Sequence, residues 1–247
     1  MVKNMKKIIR GLGILLFTLL LWQIIAMILS APILPYPIPV IEHFCKSLSG
    51  ILPMHIAYSM MRIALSVFTA ILIGLPAGIV IGYSPLLNRV LSPFLYLSYP
   101  IPKLALLPMI MLLFGLGETS KVIMIFLILI FPITVDIAVG VRTMNKEIFQ
   151  TMQAFGIKSW SIVLHVILPG IVPSVIASLK ISLGIALSIL FFAENYGTSF
   201  GLGFYIMNSW QKMDYTGLYT GILTLSLLGF ILFLILDFIE DKVSVWR

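Results

Sequence analysis

Twenty consecutive residues, Val122 to Val141, contain a single ionisable side chain, Asp136. As a helix such a run is about 30 Å long, the thickness of the hydrocarbon core of a bilayer. Further apolar stretches lie at 11–30, 56–83, 171–193 and 217–236, with an interrupted one at 91–117. Only 10% of the residues are charged and mean hydropathy is +1.13, where a soluble domain would carry about 25% charged residues. The chain is therefore expected to be an all-α polytopic membrane protein with six transmembrane helices.

The individual stretches carry their own constraints. Lys3, Lys6, Lys7 and Arg10 precede the first apolar run. A cleaved signal peptide shares that layout, but the run is longer than an h-region and Leu29 stands where a small residue is needed, so a retained span is expected. Residues 31–55 hold Pro32, Pro35, Pro37, Pro39 and Pro53 and read as a connection, with His43 and His55 as loop residues. In the second stretch Gly74, Gly78 and Gly82 form a stripe without side chains, which admits close approach of another helix. Pro76 predicts a kink there, and Arg62, near one end, can snorkel to the interface. Ser84–Ser92 reads as a polar turn.

In the third stretch Pro93, Pro100, Pro102 and Pro108 surround Lys103. Leu104–Gly117 alone would reach only about 21 Å, so the span has to begin before the prolines and run through a distorted middle. Irregular backbone at that depth requires surrounding protein or a wet cavity. Asp136, Glu194 and Lys103 are the candidate pathway residues, because an ionisable group within or beside a span is costly. A hydrogen-bonding structural role for Asp136 is the equal alternative. Lys180 lies a third of the way along the fifth stretch.

Net charge is +7, but the basic residues flank apolar spans, which points to orientation in a membrane and away from nucleic acid. Six spans put both termini on one side, together with Lys3, Lys6, Lys7, Arg10, Arg89, Arg142, Lys146, Lys158, Lys242 and Arg247; the other side holds Lys46, Lys121 and Lys212. That asymmetry predicts cytoplasmic N and C termini. Cys45 is a lone thiol. No metal-ligand spacing and no phosphate-cradling glycine loop is present, so neither a cofactor nor catalysis is expected.

The polar island of the chain is the loop 142–170, containing EIFQTMQAFGIKSWSIVLHVILPG. Ile148, Met152 and Phe155 share one face of a short helix. Gly156 supplies a helix stop. A second amphipathic turn carries Trp160, Val163 and Ile167 on one side, and Pro169 closes it.

From Gly156 to Val166-Ile167-Leu168-Pro169 this island resembles the cytoplasmic coupling loop of ABC importer permeases, E-A-A-x3-G-x9-I-x-L-P, with Gln150, Thr151 and Met152 in place of Glu-Ala-Ala. LPYPIPVIEHF, YPIPKLALLPMIMLLFGLGE, Ala193-Glu194 and GLGFYI resemble further segments of the nitrate/sulfonate/taurine-type branch, so that the likeness covers residues 34–247. It implies a MetI-like permease fold with cytoplasmic coupling helices: residues 1–10 as a cytoplasmic N-terminus, and 11–247 as one transmembrane domain in a bacterial-type inner membrane. It implies Gln150, Ala154, Phe155, Gly156, Ile157, Leu168 and Pro169 as the ATPase-coupling residues. The implied partners are cytoplasmic ABC ATPase subunits, a second permease subunit forming a homodimer, and an external solute-binding protein. Nitrate, sulfonate, taurine or a thiamine precursor is the implied cargo class, the IPK-LALLP run leaning to the last. The alternative is a self-sufficient secondary transporter or channel using Asp136 and Glu194, although no inverted repeat is visible.

Overall fold

The glycine stripe lies on helix α3 (Leu52–Tyr83) and faces α6 (Glu118–Arg142) in the computed structural model, which describes residues 2–98 and 100–243. A Cβ added at Gly78 would stand 2.7 Å from Ile137, and one at Gly82 would stand 2.6 Å from the Ala138 carbonyl oxygen. The two backbones therefore meet with nothing between them. Around this seam Ile125, Leu129, Ile133, Ile137 and Val141 of α6 are buried with Ala70 and Ile79 of α3. On the other side of α6 lies α9 (Leu168–Ala193), which adds Leu179, Leu183, Ala186 and Leu190 to the same core. Gly78→Leu is expected to overpack the seam and to cost about 1–3 kcal/mol or more, read as a lowered unfolding midpoint in detergent. Gly74→Ala, which would meet the side chains of Ile130, Ile133 and Thr134 at 3.1–3.2 Å, is expected to lower it by less.

The remaining helices are α1 (Val2–Leu29), α2 (Pro37–Ser47), α4 (Pro85–Ser98), α5 (Leu107–Phe114), α7 (Lys146–Ala154), α8 (Ser159–Ile162), α10 (Leu202–Gln211) and α11 (Tyr215–Val243). The described residues contain no strand. By length and apolarity α3, α6, the run Ser159–Ala193 and α11 can each cross a membrane. The segments Pro85–Ser98 and Lys103–Phe114 form a pair bent by 80° that makes a fifth if it is one span, and Gly13–Leu29 is a shorter apolar helix. The side chains of Lys3, Lys6, Lys7, Arg10, Lys146 and Gln153, together with Tyr99, Trp246 and Arg247, lie outside the described residues and side chains.

Several local expectations change. The proline-rich connection is largely helical, because Pro37 opens α2 and Pro53 falls in the first turn of α3, the places where a missing N–H costs nothing. His43 and His55 are thus helical, His43 bonding Thr220 of α11 at 3.0 Å and His55 being buried. The expected turn Ser84–Ser92 is mostly the first half of α4. Pro169 closes nothing: it sits in the first turn of α9, preceded by a five-residue π-helical turn, Val163–Ile167. A proline cannot donate to the preceding turn, and a local π-helix is one way a continuing helix absorbs that loss. The result is one unbroken run of 35 residues from Ser159 to Ala193. Within it Lys180 pairs with Asp237 and Glu240 of α11.

Candidate functional site

The polar island folds as two short helices meeting at an elbow. The Asn145 side chain accepts from the Glu147 N–H at 2.9 Å and starts α7. Phe149 and Met152 then turn inward, Phe149 meeting the Tyr83 ring edge-on with centroids 5.9 Å apart. At the far end Gly156 has φ +71°, and the Ile157 N–H donates to the Met152 carbonyl at 3.1 Å. This is a Schellman closure, which reverses the chain and brings an apolar residue back onto the helix. Ile157 is accordingly half-buried against the core, whereas Phe155 is thrown outward and is 79% exposed. The inward face is thus Phe149, Met152 and Ile157. The expected face of Ile148, Met152 and Phe155 is broken up because the reversal comes one residue after Phe155, and Ile148 too is exposed.

The second turn is split likewise. Ile162 and Ile167 are buried and Val163 and Val166 pack beside them, but Trp160 is 70% exposed. Gln150, Ala154 and Pro169 are exposed, and Leu168 is half-buried. A Cβ at Gly156 would meet nothing within 4 Å, so within this chain the position needs glycine for its left-handed backbone alone. The elbow presents two aromatic side chains on either side of that bare glycine, an exposure suited to a protein contact.

At the other end of α9 lies a buried ionic cluster whose members come from four separate parts of the chain. Arg62 of α3 is fully buried and does not snorkel. Its guanidinium donates to both oxygens of Glu118 at 2.5 and 2.7 Å, to Glu194 at 2.6 Å, to the Phe200 carbonyl at 2.9 Å and to Thr198 at 3.1 Å. Glu194, also fully buried, accepts from the Ser59 hydroxyl at 2.8 Å and from the Gly203 N–H at 2.8 Å. The Gly201 N–H donates to His55 at 3.0 Å and the Leu202 N–H to Ser59 at 2.8 Å. The unpaired amides at the start of α10 are therefore met by Glu194, Ser59 and His55, with the negative charge at the helix's positive end. Lys121, fully buried, gives its ammonium to the carbonyls of Leu116, Gly117 and Gly197. Close approach explains the glycines here: a Cβ on Gly201 (φ +140°) would stand 2.5 Å from the Glu194 carboxyl carbon.

The three candidate pathway residues do not converge. Glu194 belongs to the cluster just described, beside Glu118. Asp136 is half-buried on α6, 18 residues from Glu118 and so about 27 Å along the helix. Lys103, on a 3₁₀ turn at the bend between α4 and α5, donates to the Ser98 carbonyl at 2.9 Å and lies 5.2 Å from the Phe131 ring centre. Arg62, Glu118 and Lys121 carried a signal that could have marked them, since each is a charge in or beside an apolar stretch. Ser59 and His55 carried none.

Comparison with known proteins follows the same lines. The family model described as "Binding-protein-dependent transport system inner membrane component" matches residues 70–245. The taurine transport system permease protein TauC of Escherichia coli (strain K12) is 30% identical over 98% of this chain and 91% of its own length. The putative aliphatic sulfonates transport permease protein SsuC of Bacillus subtilis (strain 168) is 31% identical over 96% and 87%. The formylaminopyrimidine transport permease protein ThiX of Halalkalibacterium halodurans is 27% identical over 98% and 99%. Among solved structures, a chain of the MetNI methionine ABC transporter in an inward-facing conformation aligns with a TM-score of 0.64 at 18% identity, covering 80% of this chain and 98% of that one.

Proposed function

The chain belongs to the family of binding-protein-dependent transport system inner membrane components, as a permease component of an ABC importer, and we propose that the elbow around Gly156 is where the ATPase acts on it. In this reading the permease is a homodimer with six spans per chain: α1, α3, the bent pair of α4 and α5, α6, the α8–α9 run, and α11. Both termini and the loop 142–170 face the cytoplasm, and residues 11–247 form one transmembrane domain in a bacterial-type inner membrane. An external binding protein delivers a small taurine-, sulfonate- or nitrate-type solute, the first two supported by the relatives of 30% and 31% identity and the last by a nitrate import permease 28% identical to this chain. A formylaminopyrimidine-type solute is the second reading, supported by the IPKLALLP run and by the near full-length match to ThiX.

The observation that carries the proposal is the position of exposed Phe155, Gly156 and Trp160 at the start of an unbroken apolar run. The chain shows no nucleotide-binding motif, so hydrolysis takes place on a separate subunit. Phe155 and Trp160 enter a groove on that subunit as apolar anchors, with α7 as the helix laid into it. Closure of the ATPase pair displaces the elbow. The displacement passes into α9, because no break separates Ser159 from Ala193, and into α6 through Asn145 and the start of α7. A tilt of these two helices against α3 switches access between the two sides.

The orientation and the docking are tested together with a single cysteine. Cys45 is exposed and is first replaced by serine; Lys158→Cys then places a thiol beside the elbow. An impermeant maleimide is expected to label it from the cytoplasmic side only, and co-expression of the cognate ATPase should protect it. Labelling from the outside overturns the orientation. Equal labelling with and without the ATPase overturns the docking.

A further inference from the structure

Beside α7 lies a cleft of about 570 Å³, bounded by the end of α3, the start of α4, the end of α6 and α7 itself. Its volume falls within the range of small-molecule sites. Arg89 of α4 and Arg142 of α6 both line it, with Asn88, Gln150 and the Tyr83 phenol ring. Both arginines are exposed, neither has an ion pair among the described residues, and no carboxylate lines the cleft. This contrasts with Arg62 and Lys180, whose charges are each met by two carboxylates. Arginines that served only to orient the chain in the membrane would have no reason to meet. These two lie 53 residues apart in sequence, on different helices, and share one recess.

We propose that this cleft is an oxyanion site, taking a tetrahedral phosphate or sulfonate group between Arg89 and Arg142. The planar guanidinium fork suits that geometry, and the amides of Asn88 and Gln150 add neutral donors. The recess lies where the apolar helices α3 and α6 end. An anionic lipid headgroup and a free oxyanion can both reach it, and the chemistry is the same for either. Its wall includes Phe149 and Gln150 of α7, while the Phe149–Tyr83 ring contact ties α7 to α3. An anion held there bridges α4 and α6 and stiffens the seat of the coupling elbow.

The test uses the full-length chain in nanodiscs of phosphatidylcholine, with and without phosphatidylglycerol, followed by its unfolding temperature. Sodium sulfate is titrated into the neutral discs against sodium chloride of matched ionic strength. A stabilisation by phosphatidylglycerol that Arg89→Gln/Arg142→Gln abolishes identifies the lipid as the source. A saturable stabilisation by sulfate in neutral discs that the same pair abolishes identifies the free oxyanion, and each single substitution should weaken it about tenfold or more. Both responses together mean that the site accepts either. Should the glutamine pair not fold, Arg89→Lys/Arg142→Lys keeps the charges but loses the fork and is expected to weaken the response severalfold. The proposal is overturned if neither probe stabilises the protein, or if the stabilisation survives undiminished in these variants.

Discussion

Arg62→Met is expected to destabilise the folded chain by about 3–5 kcal/mol, because it strands a buried carboxylate. Glu194 would keep the Ser59 hydroxyl and the Gly203 N–H but lose the guanidinium bonded to it at 2.6 Å, and a buried carboxylate without a bonded counter-charge is costly. Glu118, whose side chain is 43% exposed, would fall back on water. For a chain of this size the loss corresponds to an unfolding midpoint lower by roughly 10 °C. The double variant Arg62→Met/Glu194→Gln is expected to recover much of it, since the amide oxygen still accepts from Gly203 and no carboxylate is left stranded, while Lys121 keeps its three carbonyl acceptors. Arg62→Lys is expected to behave like the methionine variant in part, because one ammonium cannot reach Glu118, Glu194 and the Phe200 carbonyl at once. Thermal unfolding in one fixed detergent checks all three. A single variant as stable as the native chain would mean that the cluster does not hold α3, α9 and α10 together.

Phe155→Asp is expected to weaken binding of the ATPase about 30-fold or more, the effect of removing an aromatic anchor worth about 2 kcal/mol, while leaving the permease folded. Phe155 is 79% exposed, so little packing within its own chain is lost. Co-purification of the tagged permease with its ATPase, alongside the unfolding midpoint of the permease alone, separates the two effects. Gly156→Asn sharpens the result. Asparagine tolerates the left-handed backbone found at φ +71°, and the space around Gly156 is open within the chain. If the glycine serves conformation alone, Gly156→Asn keeps the ATPase. If the partner packs against the bare backbone, Gly156→Asn loses it as Phe155→Asp does.

How far the sequence revealed these features follows from the range of the forces involved. The helix stop at Gly156 was legible because a glycine reversal acts within a few residues. The groove on α3 was legible too, since glycines four apart leave a stripe without side chains, but that α6 fills it was not. The α2 helix was hidden by Pro37 and Pro39, which look like breakers until they are seen to occupy a first turn. The outward turn of Phe155 was missed because the period of α7 was carried through a residue already inside the reversal. Arg62 was misplaced for a different reason. Its partners lie 56, 132, 136 and 138 residues away, and nothing beside it in the chain distinguishes a clamped arginine from a snorkelling one. Asp136 and Glu194 looked alike as isolated acids near apolar runs, yet only Glu194 has a buried arginine against it.

That long separation bears on how the protein is made. Arg62 emerges from the ribosome 132 residues before Glu194, an interval of roughly ten seconds at ordinary translation rates. Throughout it α3 holds a cation in its first half, of a kind whose insertion costs up to about 3 kcal/mol at a helix centre, with Glu118 the one carboxylate of the cluster already made. Until the end of α9 and the residues after it are delivered, α3 carries an arginine without its acceptors on Glu194, Thr198 and Phe200. Arrival of Glu194 brings Arg62, Lys121, Glu118 and Glu194 to a balance of two cations and two carboxylates, so the last charge of the cluster to be synthesised completes the clamp that joins α3 to the end of α9.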